Sequence, residues 1–164
     1  MASEYVSFMI LFGLGITMVV AVGVTVSNVE TGIVGNVANI ELMEILSDIK
    51  KELMSGISAS KLQLQTGESY SFQSTVDLPL TLAKSYYYTI SVEATDSGIY
   101  YLEGRSNGIG PSYLANMTLP FSNLAPGFSY IITGGFDSSF LPHIISFTKS
   151  GDNPLVITLR DSSG

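Results

Sequence analysis

The stretch that decides the fold is Tyr5–Val29, YVSFMILFGLGITMVVAVGVTVSNV, 25 residues without a charged side chain. A helix through the hydrocarbon core of a bilayer needs about 20 predominantly apolar residues, so this run is long enough to span one. Helical patterning does not stop at its end. After Glu30 the sequence TGIVGNVANIELMEILSDIKKELM keeps apolar positions at helical spacing to about Met54, and no proline occurs in residues 1–56. One helix of about 50 residues would be roughly 75 Å long at about 1.5 Å per residue, well beyond the needs of an anchor.

The second half of this helix is amphipathic. Ile33, Val37, Ile40, Leu42, Ile45, Leu46, Ile49 and Leu53 recur at helical spacing, opposite Glu41, Glu44, Asp48 and Lys51. The pattern predicts that Ile33, Val37, Ile40, Ile45, Ile49 and Leu53 pack against the chain's own C-terminal domain. Ser55-Gly56, just after Lys50 and Lys51, fits a glycine-terminated helix with basic residues in its last turn. Inside the apolar half, Gly13, Gly15 and Gly23, followed by Gly32 and Gly35, each weaken the helix by about 1 kcal/mol relative to alanine. Gly13 with Thr17, and Ala21 with Thr25, have the small-xxx-small spacing that lets helix backbones approach closely.

Beyond residue 56 the apolar period changes from helical to two. KLQLQ (Lys61–Gln65), SYSFQSTV (Ser69–Val76), SYYYTISVEA (Ser85–Ala94), IYYLEG (Ile99–Gly104), SYLANMTL (Ser112–Leu119), FSYIIT (Phe128–Thr133), HIISFTK (His143–Lys149) and PLVITLR (Pro154–Arg160) read as short strands. Turn-rich clusters such as DLP, TDSG, LAPG and SGDNP separate them. Such a series of short strands predicts an antiparallel β-sandwich, immunoglobulin-like in general shape, with its strand order open. The expected class is therefore α+β: a helical region 1–56 followed by a β-sandwich domain 57–164. The short linkage SGISAS implies that the sandwich sits against the helix end.

Composition narrows the function. Charged residues make up only 13% of the chain and apolar ones 46%, with a mean hydropathy of +0.37. Ser, Thr, Gly and Tyr fill the surface positions instead, which suggests packing into an assembly or display outside the cell. The net charge is -7 and no basic cluster exceeds Lys50-Lys51, so nucleic acid is not an expected partner. There is no cysteine, which excludes disulfides, thiolate metal sites and cysteine nucleophiles. MASEY carries an acid and no base ahead of the apolar run, unlike a secretory signal peptide. The run is read as retained in the mature chain, any short basic leader having been removed or lying outside the sequence.

The candidate sites are few. His143 is the only histidine, too few for a His-based metal site, and no GxSxG elbow accompanies it; a structural role is expected. Asp96, Asp137 and Asp152 fall in separate turns, where aspartate caps the backbone, and the spacing of an EF-hand calcium loop is absent. No cofactor, metal or catalytic constellation is read from the sequence. Asn116-Met117-Thr118 is an N-x-[ST] sequon, which makes Asn116 a candidate N-glycosylation site. Tyr86, Tyr87, Tyr88, Tyr100 and Tyr101 concentrate aromatic surface on neighbouring strands, read as core and outer-face residues before a sugar platform. Glu4, just ahead of the apolar run, suits the first turn of a helix and is also placed to neutralise a terminal amine inside an assembly.

An opening segment with an early glutamate, SEYVSFMILFGLGITMVV, then an amphipathic half-helix and a strand-rich domain resembles the archaeal type IV pilin and archaellin superfamily. The resemblance in sequence is confined to about residues 1–54 and lies in pattern. In that family a prepilin-type peptidase removes a short basic leader, the precursor waits in the membrane by this helix, and subunits polymerise with their helices in the filament core. It implies a structural subunit of an extracellular, cell-surface filament used in adhesion or motility, with identical subunits as partners, the plasma membrane before assembly, and a surface or cell as adhesion target. The residues implied in polymerisation are Glu4, Phe8, Leu11, Phe12, Gly13, Gly15, Val19, Val20, Gly23 and Val26. The alternative is a single-span, membrane-anchored sandwich protein of the cell envelope, such as a stator-like component of the archaellum; an enzyme is not expected.

Overall fold

The computed structural model describes residues 2–62, 69–107, 113–122 and 130–162. One helix, α1 (Ala2–Leu62), precedes seven strands: β1 (Tyr70–Val76), β2 (Tyr87–Ala94), β3 (Ile99–Asn107), β4 (Leu114–Ser122), β5 (Tyr130–Asp137), β6 (His143–Lys149) and β7 (Leu155–Asp161). The protein is thus α+β. By contacts the chain divides into Met1–Asn36 and Val37–Gly164, so the C-terminal part of α1 belongs with the strands. The division falls at 36/37 and not at 56/57, because the residues from Ala38 onward enter the core of the sheet.

The strands form one seven-stranded sheet in the order β1-β6-β7-β5-β2-β3-β4. It is mixed, where the sequence had suggested a wholly antiparallel arrangement: β5 and β7 run parallel, Tyr130 opposite Leu155 through Gly134 opposite Leu159. The cause lies in the connections. Short turns make β5, β6 and β7 alternate in direction, and β7 then inserts between β6 and β5. It is therefore antiparallel to its predecessor and parallel to the strand before that. The β2–β5 seam is short, three residue pairs from Thr89 opposite Asp137 to Ser91 opposite Gly135.

Each strand keeps a period of two, which sends alternate side chains to one buried face. Tyr88 and Ile90, Tyr100 and Leu102, Ala115 and Leu119, Tyr130, Ile132 and Phe136, Ile145 and Phe147, and Leu155, Ile157 and Leu159 are all buried on it. What covers this face is the helix. Ala38, Leu42, Ile45, Leu46, Ile49, Leu53 and Ile57 join the same core cluster. Leu42, Leu46, Ile49 and Leu53 have no exposed surface, and each such side chain contributes about 1.5–3 kcal/mol relative to an exposed one.

Helix and sheet approach most closely where one of them lacks a side chain. Gly56 of α1 lies under Phe147 of β6, and Gly104 of β3 lies under Leu42, whose Cδ1 would stand 2.8 Å from a Cβ at that position. Gly56 is therefore not the helix terminator that its sequence context suggests; α1 continues another six residues, to Leu62. Ser58 and Ser60 return their hydroxyls to the carbonyls of Met54 and Gly56, at 2.8 Å each, so neither breaks the helix. Of the strand expected at Lys61–Gln65, Lys61 and Leu62 are helical and the remainder lies outside the described residues.

Both edge strands are tied to one turn of the helix. Lys50 Nζ donates to the Thr118 carbonyl of β4 at 3.1 Å, and the Glu52 carboxylate accepts from the Ser74 hydroxyl of β1. Residues two apart on an α-helix point about 200° from one another, so Lys50 and Glu52 reach out to opposite flanks. A third tie runs from Glu41, whose Oε2 accepts the Ala83 amide at 2.5 Å.

Candidate assembly surface on the N-terminal helix

The unit Met1–Asn36 is helical throughout its described part and exposes its apolar side chains all round. Tyr5 is 76% exposed, Leu11 69% and Val19 74%. The helix is long and apolar enough to cross a membrane, and nothing of its most apolar window is buried. Isolated exposed apolar residues are ordinary, but a continuous exposed surface of this kind marks a site of contact with lipid or protein.

Of the residues implied in polymerisation, Phe8, Leu11, Phe12, Val19, Val20 and Val26 are large exposed apolar groups on this surface. Phe8 and Phe12, one turn apart, stack with ring centroids 6.4 Å apart. A Cβ built on Gly13, Gly15 or Gly23 would meet nothing within 4 Å, so these glycines leave space that nothing described in the chain fills. Glu4 is on the helix, while its side chain lies outside the described residues.

Three threonines of the helix turn back to its own backbone. Thr17 Oγ1 donates to the Gly13 carbonyl at 2.8 Å, Thr25 to Ala21 at 2.8 Å, and Thr31 to Ser27 at 2.8 Å. A hydroxyl that bonds the carbonyl four residues earlier needs no water, and so enters an apolar environment at small cost. Both lipid and a packed bundle of helices satisfy this requirement.

The six positions expected to pack on the C-terminal domain divide into two sets. Ile45, Ile49 and Leu53 are buried in the core, whereas Ile33 is 59%, Val37 40% and Ile40 61% exposed. The reason is rotational. Val37 and Ile40 precede Leu42 by five and two residues, which turns them about 140–160° away from the sheet at about 100° per residue, and Ile33 belongs to the unit Met1–Asn36. The helix thus carries two apolar stripes, and only that of Ala38, Leu42, Ile45, Leu46, Ile49 and Leu53 faces the strands.

Compared with known proteins, the chain matches no family model, no curated protein and no solved structure.

The remaining candidate residues serve the sheet. His143 is fully buried at the start of β6, with Nδ1 donating to Asp161 Oδ1 at 2.8 Å, while Asp161 Oδ2 accepts the Asp137 amide at 2.9 Å. One carboxylate on β7 thereby joins the end of β5 to the beginning of β6. Asp137 Oδ1 in turn accepts the Ser139 amide at 2.9 Å, the Asx turn expected of aspartate there. Asp96 and Asp152 fall in turns. Among the described residues no three His, Cys, Asp or Glu side chains converge as metal ligands would. Tyr88 and Tyr100 are core residues, donating to the Pro79 carbonyl at 2.5 Å and the Tyr130 carbonyl at 3.3 Å. Tyr86 meets Tyr113 edge to face, and Tyr87 is exposed. Glu41 reads in sequence as part of the polar helix face and Lys50 as a basic residue of the last turn, while Glu52 carries no assigned role. Their ties to β4, β1 and the Ala83 turn carry no local signal, since each partner is a backbone group or hydroxyl at least 22 positions away.

Proposed function

We propose that the chain is a structural subunit of an extracellular filament of the archaeal type IV pilus kind, held together by its N-terminal helix and without catalysis of its own. The observation that carries this is the exposure of the whole uncharged surface from Tyr5 to Val29. Water is a poor solvent for it, and its stable destinations are lipid before assembly and the helices of identical subunits after it. Copies related by a rotation and a rise make heterologous contacts that do not close, and such contacts generate a filament. The glycines leave room for close helix approach, and the self-bonded threonines suit a dry interior. In this reading the strand unit faces outward on the filament. Its two halves, β1-β6-β7-β5 and β2-β3-β4, are taken to fold toward each other around the helix as an immunoglobulin-like sandwich, a view supported by the three-residue seam and by the two edge strands meeting one helical turn.

A second reading, a single-span envelope protein of the stator kind, is favoured by the sufficiency of the helix for crossing a bilayer once. Two experiments separate them. Negative-stain microscopy of a native cell-surface preparation, with antibody labelling against the strand unit, should find the chain along filaments. Extraction solely by detergent, as single copies and with no labelled filament, would establish the anchor instead. Every core residue lies at Ala38 or beyond, so a chain beginning at Val37 should fold, remain soluble and stay monomeric. If that chain still formed filaments, the helix-core reading would fail.

A further inference from the structure

We infer that Asn116 is a glycosylation site whose saccharide covers the free edge of the sheet at β4. The sequon alone is weak, because tripeptides of this form arise by chance. The fold supplies what the tripeptide lacks. Asn116 and Thr118 are two residues apart on an extended strand, so both project to the same face. That face is the outward one: both residues are exposed, while Ala115 and Leu119 are buried toward the helix and Met117 between them is half-buried. A register shifted by one residue would have turned the carboxamide and the hydroxyl together into the core. β4 is moreover an edge strand, paired among the described strands only with β3.

The surroundings suit a bulky polar adduct. Asn116 is opposite Glu103, which pairs with Arg105 at 2.9 Å, and Thr118 is opposite Tyr101. On that face of β4 the two residues are flanked by Leu114, 53% exposed, and Pro120. Edge strands invite pairing with other chains, and proteins blunt them with charge, proline or cover. β4 already has two such devices, the Lys50 ammonium on the Thr118 carbonyl and Pro120 within the strand. A saccharide on Asn116 is a third, on the same stretch of edge.

In the transfer, the Asn116 carboxamide nitrogen attacks the anomeric carbon of a sugar carried as a lipid-linked phosphate or diphosphate ester. The C–N bond forms as the C–O bond to phosphate breaks, the electron pair leaves with the phosphate, and the nitrogen gives up one proton. This inference rests on the proposed export of the strand unit, because the acceptor must reach the outer side of the membrane.

The test is peptide mapping by mass spectrometry, with electron-transfer fragmentation, of the full chain isolated from its native cells, beside treatment of intact cells with an external protease. The expected result is a saccharide increment on the Asn116 peptide, absent from N116Q and from T118A, while both variants keep the parent's circular dichroism. An unmodified Asn116 in a chain that the protease cleaves overturns the saccharide and leaves export standing. An unmodified Asn116 in a chain that the protease cannot reach overturns both. An increment that survives in T118A overturns the sequon as its cause.

Discussion

The ring of Phe147 occupies the place that a side chain on Gly56 would need: a Cβ built there would lie 2.1 Å from Phe147 Cζ. Phe147 has no room to yield, being fully buried and stacked on Phe72 with ring centroids 4.7 Å apart. Gly56→Ala in a helix interior would ordinarily gain about 1 kcal/mol. Overpacking a tight core costs about 1–3 kcal/mol, and with the ring fixed it wins. Denaturant unfolding should therefore show G56A to be less stable than the parent. Gly32→Ala is the control, since its Cβ would meet nothing within 4 Å and only the gain in propensity remains. A stabilised G56A would mean that helix and sheet part more readily than this packing implies.

A second prediction concerns the turn after Leu82. Ala83 and Lys84 both adopt positive φ, 46° and 63°, a conformation that costs non-glycine residues about 1–2 kcal/mol each. Lys84→Gly should relieve the exposed half of this cost and, after the loss of chain entropy, stabilise the protein by about 0.5–1 kcal/mol. Glu41→Ala, which removes the acceptor of the Ala83 amide, should destabilise it by about 1–2 kcal/mol. Thermal melts of the two variants and of their combination would test whether the helix carboxylate holds the turn in place; additive effects would argue that it does not.

Alkaline pH should weaken the fold through two tyrosines. Burial raises the Tyr88 hydroxyl above the usual tyrosine range, and burial, followed by the neighbouring Tyr86, raises that of Tyr113. Both are higher in the folded chain than in the unfolded one. The stability that the neutral phenols supply is thus complete below about pH 10 and is lost as the pH rises past the unfolded value. Unfolding midpoints followed from pH 8 to about 11.5 should fall at the top of the range. Tyr88→Phe should begin lower at neutral pH, having lost the bond to the Pro79 carbonyl, and fall less steeply.

Assembly and folding should separate at Val19. This side chain is 74% exposed on the uncharged run, far in sequence from every core residue. Val19→Asp would place a carboxylate where lipid or other helices are expected, at a cost of about 3 kcal/mol per subunit. Filaments in the cell-surface preparation should disappear while the thermal midpoint of the strand unit stays at the parent value. Retained filaments would move the assembly contact away from this part of the helix.

Much of this architecture is legible in the residues. The uncharged run, the change of period from helical to two after the helix, and the strands around Tyr88, Ile145 and Ile157 all follow from patterning alone. Other features do not. Gly56 reads as a cap because glycine after lysines is a common helix end, and only the position of Phe147 reveals that it serves close contact. Ile33, Val37 and Ile40 form as good an apolar stripe as Leu42, Ile49 and Leu53, and periodicity cannot say which stripe meets a sheet. The parallel pairing of β5 with β7 arises from where β7 inserts, which no strand sequence encodes locally. On the N-terminal helix the uncharged run is legible from composition, but its exposure in the single chain is not, because periodicity does not say what covers a helix.

The glycine contacts also set how the molecule bears load. With Gly56 seated under Phe147 and Gly104 under Leu42, the helix is keyed to the sheet at two points. Sliding it by one turn, about 5.4 Å, would drive a side chain into the ring at one end and withdraw Leu42 from its notch at the other. A pull along the helix axis is then resisted in shear, by many side chains at once, and not by peeling strands one at a time. The rupture force of single molecules stretched between residue 5 and the C-terminus should accordingly drop in Leu42→Ala, which empties the notch, without any change in the length of chain released.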